Sequence, residues 1–115
     1  MILTAPIRTV SEANRRDHWS VKAERAKGQR GPVALLCRSK WGAPPRPPLT
    51  VTLTRLSPGT LDDDNLRGAL KAVRDGVADY LGINDRDPRV EWEYEQQRHK
   101  AFGVRIEMSA RYHRA

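Results

Sequence analysis

No apolar run in the sequence approaches the roughly 18 residues that span a bilayer. The opening stretch, Met1 to Val10, lacks the apolar core of a secretory signal. A soluble, non-exported chain is therefore expected. There is one cysteine, Cys37, in 115 residues, which excludes an intrachain disulfide. Its apolar setting, Val33 to Cys37, predicts a buried structural thiol and suits a reducing cytoplasm. His99 and His113 lack metal-ligand spacing with another His or Cys, so the sequence argues against zinc. No internal repeat is present, and the length leaves room for one domain, residues 1–115, with one modest core.

What the chain has is positive charge. Lys and Arg number 21 against 14 Asp and Glu, a net +7 at pH 7. Such an excess favours a polyanionic partner, because each cation that neutralises a phosphate releases condensed counterions. The charge is unevenly spread: residues 1–50 hold ten basic and three acidic residues, whereas residues 51–115 are neutral. The basic surface and the acidic cluster are thus separable. A mean hydropathy of -0.71 predicts a lean core that dimerisation would help to bury.

Ser11 followed by Glu12 reads as a helix start, and Ser11 to Arg30 as a polar, basic helix. Gly31-Pro32 predicts a break, with Pro32 opening a short second helix that carries Val33, Leu35 and Leu36. Four prolines within Gly42 to Pro48 predict an extended connector. Leu49 to Leu56 alternates threonines with Val51 and Leu53, the period of a half-buried strand, and Ser57-Pro-Gly59 turns it. From Asp64 onward, Leu66, Leu70, Val73, Val77 and Leu81 draw one stripe down a helix that Gly82 closes. Val90 to Gln96 and Phe102 to Ala110 both alternate and predict a hairpin joined around Arg98 to Ala101. With a possible short strand at Ile2 to Val10, the order predicts an α+β domain: a mixed sheet of about four strands packed with two to three helices.

Leu61-Asp-Asp-Asp-Asn65 places three carboxylates where a strand's exit turn meets a helix's first turn. One Asp suffices as an N-cap, worth about 1 kcal/mol. Three, with Asp85 and Asp87 in a second polar loop, exceed what capping needs. A hard divalent cation is the simplest agent that makes carboxylates converge, and Asp-x-Asp spacing lets two of them reach one ion. Such an ion activates water and stabilises charge on phosphodiester oxygens. On this chemistry alone, metal-dependent phosphodiester hydrolysis and a solvated acidic cap stand level.

The run Asp62-Asp-Asp-Asn-Leu66, its amphipathic helix, and Gly82-Ile-Asn-Asp-Arg-Asp-Pro-Arg-Val90 resemble the RusA-type crossover junction endodeoxyribonucleases, the Holliday junction resolvases of bacteria and phages. The family pattern is Asp-x-Asp-Asn, a helix, Gly, and a loop ending in Asp-x-x-Val before a strand. The resemblance implies Asp62, Asp64 and Asp87 as metal ligands, with Asp85 as an extra one. It implies magnesium, or manganese, as cofactor, and a homodimer that makes paired symmetric nicks in branched DNA. The basic segment from Asn14 to Trp19, continuing through Lys22 to Arg30, resembles the first helix of phage-type relatives. Arg15, Arg16, Lys22, Arg25, Lys27 and Arg30, with Arg67, are the expected DNA contacts, carrying affinity and little sequence information. One position departs: the family lysine three residues after the Asn is Gly68 here, and Lys71 is the expected substitute that offsets charge at the reacting phosphate.

Trp19, beside His18, is expected to pack its helix onto the sheet. Trp92 and Tyr94, alternating with Glu91, Glu93 and Glu95, read as the core face of a strand. The competing readings are a non-catalytic basic DNA-binding protein, separable by magnesium dependence, and an RNA nuclease, separable by a substrate panel.

Overall fold

Among the described residues six elements follow one another: β1 (Ile2–Ala5), α1 (Trp19–Trp41), β2 (Leu49–Ser57), α2 (Asp63–Leu81), β3 (Val90–Arg98) and β4 (Gly103–Ala110). This computed structural model describes residues 1–9 and 19–111, with side chains in α1 described from residue 28 onward. The strands form one mixed sheet in the order β1-β4-β2-β3. β2 runs antiparallel to β4 and parallel to β3, so β2, α2 and β3 make one crossover unit. The expected α+β class is the observed one, with two helices among the described residues. The expected start of α1 at Ser11 lies outside those residues.

The register aligns the alternating side chains into rows. Leu3, Ile106, Leu53 and Tyr94 form one row across the sheet, and Met108, Val51 and Trp92 form the next. This face meets Val33 and Cys37 of α1 and the α2 stripe Leu66, Leu70, Val73, Val77 and Leu81, all buried. Burying five such side chains on α2 contributes on the order of 10 kcal/mol before the entropy of ordering the chain is subtracted. The opposite face carries Thr50, Thr52 and the glutamates of β3, all partly or fully exposed, and no helix among the described residues is packed there.

α2 begins and ends as the sequence predicts. Asp62 is its N-cap. Gly82 takes the left-handed conformation at φ 70, and its N–H donates to the Asp79 carbonyl at 3.1 Å. A side chain at Gly82 would be strained in that conformation.

Two expectations are corrected. β3 and β4 do not form a hairpin, because β2 lies between them. Residues 99–102 cross the end of β2, about 10 Å or two strand spacings, which a connection of this length can reach. The His99 N–H anchors the crossing by donating to the Ser57 carbonyl at 3.0 Å. Alternation in β3 and β4 reports which face is buried, and it is the same whichever strand lies alongside. β2 takes the centre because its second half is buried on both faces, Thr54 and Leu56 included.

The other correction concerns Pro32, which does not divide two helices. α1 runs through it. The ring lacks an N–H and crowds the carbonyl four residues back, which belongs to Gly28. Pro32 itself faces solvent, while Val33 and Cys37 after it are fully buried. Before it, Arg30 pairs with Asp79 and its carbonyl lies against Gly76, so contacts with α2 hold both halves on one axis. Cys37 is the buried thiol expected, and burial pushes its pKa up to about 11. No helix among the described residues is long and apolar enough to cross a membrane.

Candidate metal and nucleic-acid site

The loop that delivers the acidic run is held from below by two sheet side chains. Arg55, only 7% exposed, donates from Nη1 to the Gly59 carbonyl at 3.1 Å and from Nε to Thr9 Oγ1 at 3.0 Å. Its burial holds the guanidinium pKa below the usual arginine value. Gln96 brackets Leu61, accepting from its N–H at 2.9 Å and donating to its carbonyl at 2.6 Å. Sequence reasoning had passed over Arg55 and Gln96. Their positions at the far end of strands offered no periodic signal for a loop-holding role.

Asp62 then caps α2. Its Oδ1 accepts from the Asn65 N–H at 2.9 Å and its Oδ2 from Asn65 Nδ2 at 3.0 Å. Asp63 and Asp64 occupy the first turn and are exposed. All three carboxylates sit near the positive end of the helix dipole.

Asp87 stands at the other end of the crossover. Its carboxylate is engaged by Arg89, with Nη2 at 2.7 Å and Nε at 3.0 Å, and also accepts the Arg89 N–H at 2.9 Å. Its backbone leads into Val90, paired with Leu49 at the start of β2, whereas Leu61 is bound to Gln96 near the end of β3. Gln96 stands six steps along the strand from Val90, so Asp87 and Asp62 lie on the order of 20 Å apart. A single chain does not bring Asp62, Asp64 and Asp87 together. Among the described residues no group of three or more His, Cys, Asp or Glu is placed to hold a metal ion.

The Arg89 side-chain hydrogen bonds, with its N–H, hold the Asp87 carboxyl at about 2, below its ordinary 3.8. A carboxyl depressed in the folded state contributes stability above its unfolded pKa and loses it as pH falls through the folded one. The contribution therefore disappears between about pH 4 and pH 2. Arg89→Ala is expected to return the Asp87 titration, followed by its carboxyl carbon shift in NMR, to near 3.8. An unchanged titration would exonerate Arg89.

Asp85 turns back along α2, away from Asp87. Its carbonyl accepts from Arg74 Nη2 at 2.6 Å, and its carboxylate lies 3.6 Å from Arg74 Nε and 3.9 Å from Lys71 Nζ. Lys71, seven residues after Asp64, also pairs with Asp75 at 3.3 Å. Arg67 is closer to the acidic end, one helical turn from Asp64.

Of the expected DNA contacts, Arg30 is exposed and forms a bidentate pair with Asp79 at 2.6 and 2.8 Å. That hydrogen bonding raises the Arg30 pKa and lowers that of Asp79. Arg15 and Arg16 lie outside the described residues, as do the side chains of Lys22, Arg25 and Lys27 and that of Trp19. Trp92 and Tyr94 do pack against the core, yet both are only half-buried, because β3 is an edge strand. Arginines cover them: Arg74 lies 4.8 Å from the Trp92 ring centre and Arg67 5.6 Å from that of Tyr94. Arg74 was missed by sequence reasoning, although its steps of three from Lys71 and seven from Arg67 put it on their side of α2.

Fold and site together define a one-sided α+β protein with an acidic helix start, a second acidic loop a helix length away, and a cationic helix face between them. No family model matches the chain. An uncharacterized protein of Xylella fastidiosa is 34% identical over 79 residues, covering 64% of this chain and 52% of the relative. The chain thus corresponds to about half the length of that relative.

Proposed function

We propose that the chain is one subunit of a metal-dependent endonuclease of branched DNA, of the RusA type. In this reading it acts as a homodimer in which Asp62 and Asp64 of one chain share a divalent ion with the partner's Asp87. The observation that carries it is the surplus of carboxylate at the start of α2. Asp62 alone satisfies the cap, and Asp63 and Asp64 follow it as two further exposed like charges. The spacing from Asn65 through α2 and Gly82 to Asp87 and Val90 supports the same reading.

The described residues of one chain do not supply a three-ligand set, whereas two carboxylates from one chain and one from a second suit magnesium, which retains several waters. When bound, magnesium or manganese supplies a water of lowered pKa and neutralises charge on phosphoryl oxygens. The chain's own residues do the rest. Arg55 and Gln96 fix the loop that aims Asp62 and Asp64. Arg67, one turn on, meets the phosphate flanking the cut, and Lys71 adds positive potential on the same face. The lone buried thiol suits a reducing compartment, the cytoplasm of a bacterial or phage-infected cell.

The test is cleavage of a labelled synthetic four-way junction beside linear duplex and RNA, with magnesium or EDTA. Paired symmetric nicks are expected that require the metal. Asp64→Asn is expected to slow them on the order of 100-fold or more, the scale on which one charge-stabilising group acts. Tight junction binding without cutting would favour the non-catalytic DNA-binding reading, and preferential cutting of RNA the RNA nuclease.

A further inference from the structure

The groove between α2 and the edge strand β3 holds a second constellation, apart from the aspartates. A recess of about 260 Å³ is bounded there by Arg67, Gly68, Lys71, Arg74, Asp85 and Tyr94. It adjoins a recess of about 410 Å³, with Arg67 and Tyr94 shared by both and Asp63, Trp92, Glu93 and Glu95 around the rest, so the excess of cations is confined to the smaller recess. Gly68 leaves the floor open, since no atom lies within 4 Å of where its Cβ would stand.

Three cations line the smaller recess against one carboxylate. Arg67, Lys71 and Arg74 follow at steps of four and three, covering about 10 Å of one side of α2. Asp85 pairs with them only loosely, at 3.6 and 3.9 Å. Lys71 shares itself with Asp75 and is 67% exposed, while Arg67 has no ion pair among the described residues. Arg74 is fixed in place, donating to the Tyr94 hydroxyl and the Asp85 carbonyl at 2.6 Å each. Arg74 Nε and Trp92 Nε1 are buried without a hydrogen-bond partner, Arg74 Nε lying 3.6 Å from the Asp85 carboxylate. Both orphans are donors, and around the smaller recess the cations outnumber the one carboxylate, Asp85.

We infer that this recess is a phosphodiester subsite, in which Arg67 and Lys71 contact the phosphate of a nucleic-acid strand and Arg74 is a positioning residue that shapes the wall. The inference rests on the nucleic-acid reading above and extends it by giving the strand a path along α2, beginning one turn beyond Asp64. The linear spread of the cations matches an extended backbone better than one small anion. The two aromatic rings already carry arginines on their faces, so the contact is to backbone and not to stacked bases.

The experiment is fluorescence anisotropy of a labelled four-way junction in EDTA over a series of salt concentrations. With Arg67→Ala and Lys71→Ala combined, the slope of log K against log salt is expected to become shallower by about 1.4 to 1.8, the loss of two phosphate contacts. Arg67→Lys, which keeps the charge, is expected to preserve the slope, as is Arg38→Ala, an exposed basic residue of α1 outside the recess. A wild-type slope in the double variant overturns the subsite. Displacement of the DNA by inorganic phosphate at constant ionic strength overturns it too, by assigning the recess to a free anion. Binding is measured without metal, so an absence of cleavage removes the nuclease reading alone, and an unchanged slope with cleavage intact removes the subsite alone.

Discussion

Replacing Gly76 by alanine is expected to destabilise the fold by about 2 kcal/mol, within the range seen when a methyl is forced into a packed core. A Cβ at Gly76 would stand 2.6 Å from the Arg30 carbonyl oxygen and 2.8 Å from Val33 Cβ. Neither neighbour is the far end of a flexible side chain; one is backbone and the other a buried branch point. To admit the methyl, α1 must move off α2, loosening Val33 and Cys37, which are fully buried there. The same substitution at Gly68, two turns earlier on the same helix, meets nothing within 4 Å. There alanine only removes the helix penalty of glycine and is expected to stabilise by about 0.5–1 kcal/mol. Urea unfolding of both variants at one protein concentration tests the pair. If Gly76→Ala is tolerated as well as Gly68→Ala, the helices do not approach as closely as described.

Mixing two inactive variants is expected to restore cleavage. In the proposed homodimer each site takes Asp62 and Asp64 from one chain and Asp87 from the other. Asp64→Asn alone and Asp87→Asn alone each damage both sites. A heterodimer of the two is different: one of its sites collects both lesions, and the other collects none. If chains exchange at random in an equal mixture, half of the dimers are mixed and about a quarter of the wild-type sites return. Those heterodimers should nick only one strand of a junction, so the paired product stays low while the single nick recovers. Co-expression with two different affinity tags isolates the mixed species. No recovery in the purified heterodimer would remove the two-chain site, because a site contained in one chain carries a lesion in either parent. Junction binding in EDTA confirms that both variants are folded.

Several features were legible before any coordinates. The five-residue stripe of α2 predicts its buried face, one Asp of the acidic run its cap and Gly82 its end, because helix periodicity and terminal hydrogen bonding are local. The threonine alternation of β2 and the glutamate alternation of β3 identify their faces for the same reason. The acidic run at the start of α2 was legible as a run, whereas the placing of Asp87 at the far end of the crossover from it was not. Where the reading failed, the deciding contact came from elsewhere in the chain. Pro32 ends a helix on local grounds, but Arg30 before it and Val33 and Cys37 after it all meet α2 and carry α1 through it. The alternations of β3 and β4 look like a hairpin, but β2 inserts because it is the strand whose second half is buried on both sides.

The sequence by itself determined the α+β class, the course of α2, the lone buried thiol and the two acidic loops, because each is written in the spacing of neighbouring residues. Only the tertiary structure decided that β2 is central, that Gly76 is where the helices meet, and that Arg74, Trp92 and Tyr94 form one groove with Arg67. It also decided that Asp62 and Asp87 lie at opposite ends of a crossover. The physical reason is that spacing along the chain records which face of an element is buried, whereas the partner on that face is chosen by packing between segments distant in sequence.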